Sequence, residues 1–228
     1  MKRSKMILML LAAFVVATFS VAQADTILLV TAPQPGAWTV DWSQLGAAGA
    51  TIPHIFTAQG NDPLGDYVTG LFSGGNSNKG IVGVQGTNWS GNFNTGDYLV
   101  WTNNHGPLTL GFLSNEYNFV GAYFQQKTYG AFTAKLELYD GPTLLGSVTE
   151  HGVSNNLHNG SAIFIGALDV TGSNITRVVF SETAGSGTAN FAIGDLYYYT
   201  PVPEPGTMVL LGSGLIGLAG FARRRFSK

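Results

Sequence analysis

Apolar and polar side chains alternate most clearly over residues 131–139. Phe132, Ala134, Leu136 and Leu138 fall on one side there, and Thr133, Lys135, Glu137 and Tyr139 on the other. A period of two is the mark of a strand with one buried face. Asp140-Gly141-Pro142 then turns the chain and residues 143–149 return, which predicts a β-hairpin. Further strands are expected at 26–31, 98–102, 108–113, 119–126, 162–168, 176–181 and 190–199. In the last of these, Phe191, Ile193 and Leu196 are expected to face the core. Turn residues punctuate the chain roughly every 8 to 12 positions and long helical periodicity is missing, which predicts an all-β sandwich or barrel.

Residues 25–97 carry a weaker pattern. Apolar pieces at 27–30 and 52–56 predict early strands. Residues 73–96 are rich in Gly, Asn and Ser, with Lys79 as their one cation. Such composition buries little apolar surface, so a long loop or irregular hairpins at the sandwich edge are expected. Residues 94–97 suggest a turn into the following strand.

The two ends of the chain read differently from its middle. Lys2, Arg3 and Lys5 precede an apolar run over 6–19, and Ala22-Gln23-Ala24 supplies a small-x-small cleavage pattern. Residues 1–24 are therefore expected to be a secretory signal peptide cut by signal peptidase after Ala24. At the other end stand Pro203-Glu204-Pro205, an apolar run over 208–222, and Arg223-Arg224-Arg225. Two prolines flanking a carboxylate cannot continue a helix or strand, so an extended, exposed handle is expected. The apolar run is shorter than the roughly 20 residues that span hydrocarbon, and the arginines behind it favour the cytoplasmic side.

Handle, short apolar helix and basic end, in that order, resemble the PEP-CTERM sorting signal of Gram-negative bacteria. The resemblance covers about the last tenth of the chain. It implies recognition by an exosortase, an integral-membrane transpeptidase-like processing enzyme. It also implies transit through the inner membrane on the C-terminal helix, with the bulk of the chain outside the cytoplasm. The destination would be the cell surface or the exopolysaccharide matrix. Three domains follow: a signal peptide at 1–24, an all-β cargo at 25–200 and the sorting signal at 201–228.

A second resemblance rests on stretches such as Val120-Gly121-Ala122-Tyr123-Phe124-Gln125, Ala162-Ile163-Phe164-Ile165-Gly166 and Phe191-Ala192-Ile193-Gly194-Asp195-Leu196. From 108 to 199 the chain is similar to the central domain of many PEP-CTERM cargoes. That likeness implies a jelly-roll-like antiparallel β-sandwich of the galactose-binding-like type. Such a fold does not by itself assign a function.

Removing the terminal segments changes the electrostatics. Over 25–204 only Lys79, Lys127, Lys135 and Arg177 remain against all 13 carboxylates, a formal net charge of −9. Nucleic acid is thereby excluded as a main partner, because phosphate contacts need lysine and arginine. Anionic polysaccharide would be repelled unless divalent cations bridge it. With no cysteine, disulfides, thiol nucleophiles and thiolate metal sites are also excluded.

Few side chains in the sequence offer catalytic or metal-binding chemistry. His54, His105, His151 and His158 form no two-histidine helical metal motif. Glu150-His151 and His158 are close enough in sequence to meet at the two ends of a hairpin. Glu116, Glu137 and Glu150 are the carboxylates available for sugar hydrolysis, but no spacing selects a pair. No catalytic residues are assigned. Asp62 and Asp66, in the loop Asn61-Asp62-Pro63-Leu64-Gly65-Asp66, are the candidate Ca²⁺ ligands. The same loop also has ordinary turn composition.

Of Trp38, Trp42, Trp89 and Trp101, the last lies in an apolar strand and reads as core. Trp89 is the candidate carbohydrate contact, since a flat ring can stack on a pyranose. The competing expectation, commoner for a loop tryptophan, is that it tucks beneath its own loop. Three matches to the N-glycosylation pattern, at Asn88, Asn159 and Asn174, carry little weight in so Asn-rich a chain.

The leading expectation is a non-enzymatic exported protein of the cell surface or extracellular matrix, associated with exopolysaccharide or biofilm and needing no cofactor. A lectin-like carbohydrate-binding module is the alternative. A secreted polysaccharide hydrolase is the third.

Overall fold

The computed structural model describes residues 26–200, apart from 76, 114–115, 173–174 and 185–188. Ala24, Pro203, Glu204, Pro205, Arg223, Arg224 and Arg225 lie outside the described residues, as does the apolar run over 208–222. Among the described residues no helix is long and apolar enough to cross a membrane.

The chain forms strands β1 (Ile27–Val30), β2 (Trp38–Val40), β3 (Thr51–Ile52), β4 (Ile55–Gln59), β5 (Tyr67–Phe72), β6 (Gly80–Val84) and β7 (Tyr98–Trp101). It continues through β8 (Leu108–Phe112), β9 (Phe119–Gln126), β10 (Gly130–Asp140) and β11 (Thr143–Ser154). The last three are β12 (Ile163–Asp169), β13 (Arg177–Ala184) and β14 (Phe191–Tyr199). One 3₁₀ turn, Trp42–Leu45, follows β2.

All strand pairings are antiparallel, and they make two sheets. The larger has eight strands in the order β1-β12-β9-β14-β7-β6-β3, with β2 paired to β14; the smaller runs β11-β10-β13-β8-β5-β4. Their inner faces enclose one core that includes Phe56, Phe72, Leu136, Phe180, Phe124 and Phe191. This is the expected all-β sandwich, and alternation explains it: Phe132, Ala134, Leu136 and Leu138 are all buried, while Thr133, Lys135 and Glu137 stand outside. The predicted hairpin is present as β10 and β11, which pair from Gly130↔Ser154 to Asp140↔Thr143.

Two expectations for the first half of the chain need correction. The apolar piece 52–56 is two strands in different sheets, Thr51–Ile52 against β6 and Ile55–Gln59 against β5. Pro53 lies between them; without a backbone donor it ends one ladder and lets the chain cross to the other sheet.

Residues 73–96 are not merely an edge loop. They contain β6, which pairs with β7 inside the large sheet, and residues 85–96 then fold over that sheet's outer face. There Trp89 and Phe93 bury against Leu99, Ala162 and Ala192 as a second, smaller core. The amide side chains supply what the composition lacks in apolar area. Asn88 accepts from Val84 N at 2.7 Å and donates to Val82 O at 2.9 Å, and Gln85 donates to Gly91 O at 3.0 Å. Buried polar groups held this way satisfy the loop's backbone from within.

Candidate functional site

The site grows from a change of partner along β14. Ala192 and Ile193 pair with Trp101 and Val100 of β7, whereas Leu196 to Tyr198 pair with Val40 to Trp38 of β2. Between those partners lies Gly194-Asp195, where the register against β9 also shifts. Such an irregularity interrupts the ladder and re-aims a side chain. Trp42 pins it from inside, donating its indole N–H to Gly194 O at 2.6 Å.

A cavity of about 370 Å³ opens at this gap, lined by Asp41, Asp97, Asp195, Tyr98, Tyr123 and Tyr197, with Phe93 and Asn94 of the covering loop completing its wall. An adjoining recess of about 570 Å³ shares Asp41 and Asp195 and adds Gln44, Gln59 and Asn61. Tyr123 and Tyr197 meet edge to face with ring centres 6.2 Å apart, and both pack on Phe164.

The three carboxylates differ in their commitments. Asp41 caps the 3₁₀ turn, accepting from Ser43 N and Ser43 Oγ at 2.8 Å each. Asp97 accepts from Asn94 N at 2.9 Å and closes the turn before β7. The Asp195 carboxylate makes no hydrogen bond with side chains or backbone of the described residues. Burial, then the charges of Asp41 and Asp97, push its carboxyl up to about 6. Burial and the neighbouring Asp195 raise the Tyr197 hydroxyl as well. Among the described residues the lining holds no lysine or arginine. Chemically this is a set of hydrogen-bond acceptors beside flat rings in a negative field. It suits a ligand that carries many hydroxyl donors and no negative charge.

The residues singled out from sequence lie elsewhere. Trp89 is 1% exposed, beneath its own loop, edge-on to Phe93 and Trp101. Lys127 Nζ covers the ring 4.4 Å from its centre. A ring so enclosed, 1% exposed, leaves no face on which a sugar could stack. The apolar pull of Phe93, Leu99 and Ala192 outweighed exposure. Trp42 is buried, Trp38 packs on Tyr198, and Trp101 is half-buried with its N–H on Asn190 Oδ1 at 2.6 Å.

Asp62 and Asp66 are turned inward, and both are buried. Asp62 accepts from Leu64 N at 2.8 Å, Asp66 N at 3.0 Å and the Tyr198 hydroxyl at 2.7 Å. Asp66 accepts a short hydrogen bond from the Tyr117 hydroxyl. These bonds tie the loop to β14 and to the residues before β9. Among the described residues no group of three or more His, Asp or Glu side chains is placed to hold a metal ion.

His151 contacts Thr133 Oγ1 at 2.9 Å on β10, and His158 contacts Ser90 Oγ at 3.2 Å in the covering loop, so the two serve different elements. His54 borders a shallow recess beside Leu71 and Pro107, and His105 is half-buried before β8. Glu137 pairs with Lys135 at 2.6 Å, Glu116 is exposed, and Glu150 stands half-buried on β11. None of the three lines the gap beside Asp195. The acids that do line it were missed. One signal for them was available: Asp195 is a lone carboxylate inside the otherwise apolar stretch Phe191-Ala192-Ile193-Gly194-Asp195-Leu196.

Comparison with known proteins bears on the C-terminus. A family model described as the PEP-CTERM protein-sorting motif matches residues 201–225. The motif supports an exported protein sorted by an exosortase and implies attachment at the cell surface after processing. Neither the curated proteins nor the solved structures contain a match to the chain.

Proposed function

We propose that the chain is a non-enzymatic, surface-displayed component of the exopolysaccharide or biofilm layer, and that it holds glycan at the gap beside Asp195. In this reading the signal peptide at 1–24 and the sorting signal at 201–228 deliver the β-sandwich of 25–200, and a galactose-binding-like ancestry accounts for the sandwich. The observation that carries the reading is the cavity itself, where a central strand changes partners and sets tyrosine rings beside an uncommitted carboxylate. Sugar hydroxyls donate well to carboxylates, and the apolar face of a pyranose stacks on aromatic rings. The charge of the cavity and of the whole domain selects neutral or amino sugars over uronic acids.

The test is a glycan array probed with the full chain in mild detergent, with Ca²⁺ and with EDTA, over neutral, amino and uronic sugars. Saturable binding to neutral or amino sugars is expected, reduced about tenfold by Asp195→Asn or Tyr197→Ala, a loss of about 1.4 kcal/mol. Binding confined to uronic acids, or unaffected by both substitutions, would refute the site.

A further inference from the structure

A second recess lies on the other side of the same covering loop. Asn92 lines it, while the next two residues, Phe93 and Asn94, line the tyrosine–carboxylate cavity. It is an open groove of about 580 Å³ along the last residues of β11. Phe132 and Ile163, which pack into the core, and Val153, which is 62% exposed, give it apolar lining, and Thr133, His151 and Asn155 give it polar lining. No carboxylate, lysine or arginine is among its described lining residues, although the domain around it is strongly acidic.

The polar wall is held in place from behind. Gln125 Nε2 donates to Asn92 Oδ1 and to Ser154 Oγ, both at 2.7 Å. Asn92 Nδ2 donates to Ser161 Oγ at 2.8 Å, and Asn155 N donates to Asn92 Oδ1 at 2.7 Å. Asn92, Gln125 and Ser154 are all buried. A buried amide network satisfied in this way is rigid, so a ligand meets a wall that needs no ordering. Two groups of the polar lining remain uncommitted. His151 uses Nδ1 toward Thr133 and keeps Nε2, and Asn155 uses Oδ1 toward Leu157 N and keeps its amide N–H₂.

Apolar lining together with neutral donors and acceptors matches the two sides of a pyranose ring, its C–H face and its hydroxyl rim. An anion would find no fixed cation here and a cation no carboxylate. We propose that this groove is a second saccharide subsite, specific for an uncharged sugar. With two glycan segments held on either side of one loop, the domain cross-links polysaccharide rather than merely adhering to it, and avidity follows from linked sites. The cross-linking part rests on the glycan reading of the first cavity; the groove itself does not.

The experiment is calorimetric titration of the full chain in detergent with maltohexaose, cellohexaose and laminarihexaose. Val153 is 62% exposed and His151 is also at the surface, so Val153→Glu and His151→Ala test the groove without disturbing the core. At least one hexaose is expected to bind. Val153→Glu should weaken it about tenfold and His151→Ala about threefold, with the melting temperature unchanged, and the binding that these two variants remove should persist in Asp195→Asn. Loss on Asp195→Asn with full binding by Val153→Glu would overturn the groove and leave the first cavity standing. No binding of any hexaose would also overturn it, while the amino-sugar arm of the array decides the first cavity separately.

Discussion

Two sets of tyrosines and aspartates face opposite fates in this molecule. The inner set consists of Tyr117 and Tyr198 with Asp66 and Asp62. Each hydroxyl donates to its own carboxylate, and the tyrosine rings meet edge to face at 4.9 Å. Asp62 is 7% and Asp66 3% exposed, and burial together with the bonded carboxylates raises both tyrosine hydroxyls far above their ordinary range. The outer set, Tyr98, Tyr123 and Tyr197 with Asp41, Asp97 and Asp195, lines an open cavity and contains a carboxylate with no hydrogen-bond donor. Residue type therefore does not separate structure from function here; the presence or absence of a donor does. A carboxylate already satisfied in a dry interior holds the fold together. One held in the same fold without a donor is available to a ligand.

The sharpest way to break that contrast is to remove the inner acceptor. Asp62→Ala deprives the Tyr198 hydroxyl and two loop N–H groups of their partner, and Tyr198 is fully buried. A loss of about 3 to 5 kcal/mol is expected, from several buried bonds broken at once, seen as a fall in melting temperature of about 6 to 20 °C. Gly60→Ala should act in the same direction, because a methyl there would lie 1.6 Å from the Tyr198 hydroxyl oxygen. If Asp62→Ala melts like the parent, the inner set is not what holds the loop.

Asp195→Asn is expected to do the reverse, weakening glycan binding at the first cavity about tenfold while keeping the fold. The sign follows from protonation. Asp195 titrates near 6 in the folded chain against 3.8 for a free aspartate. The folded state therefore binds the extra proton, and that contribution to stability is complete below about 4 and lost as pH rises through about 6. Above that pH the charged group opposes folding, so the amide variant should be no less stable at pH 7.5, by thermal melting. A variant that loses both binding and stability would make Asp195 structural after all.

Glu182 sharpens the contrast from a third position, since it is 6% exposed and neither oxygen has a hydrogen-bond partner among the described residues. Burial pushes its carboxyl up to about 7 from 4.5. By the same rule its contribution is present below about 4.5 and disappears as pH passes 7. Glu182→Gln should raise stability at pH 8 by about 1 kcal/mol and leave it unchanged or lower at pH 4. Melting curves at the two pH values decide this.

How much of this was readable from the chain follows from where the partners lie. The strands between 108 and 199 were legible because each carries its own local signal, either alternation, as Phe132, Ala134, Leu136 and Leu138 do, or a short apolar run bounded by turn residues, as in β9 and β12. β5 and β6 were not read as strands, because Gly70, Gly80 and Gly83 dilute the apolar pattern that sheet neighbours complete. Asp62 and Asp66 stood out as an acidic turn, but their meaning depends on tyrosines 136 and 51 residues away. The cavity is harder still: Asp41, Asp97 and Asp195 come from three separate segments, joined only by the gap in β14. Trp89 was legible as a tryptophan worth explaining. Its burial depended on Leu99 and Ala192 lying beneath it, which no local pattern reveals.

The smallest effect is expected at Asp41, and it tests how the outer acids act on one another. Asn caps a helical turn about as well as Asp, so Asp41→Asn should keep the Ser43 contacts and shift stability by less than about 0.5 kcal/mol. Removing the charge also removes one of the two repulsions that raise Asp195. The Asp195 carboxyl should then titrate lower than about 6, toward but not reaching its ordinary value, because burial remains the larger cause. Glycan affinity that depends on a charged Asp195 acceptor should fall in the parent as pH drops through about 6, and in Asp41→Asn at a lower pH. Titrations between pH 4.5 and 8 measure both midpoints. A midpoint that does not move would mean that Asp41 does not act on Asp195 through charge, and the outer set would reduce to one isolated carboxylate among tyrosine rings.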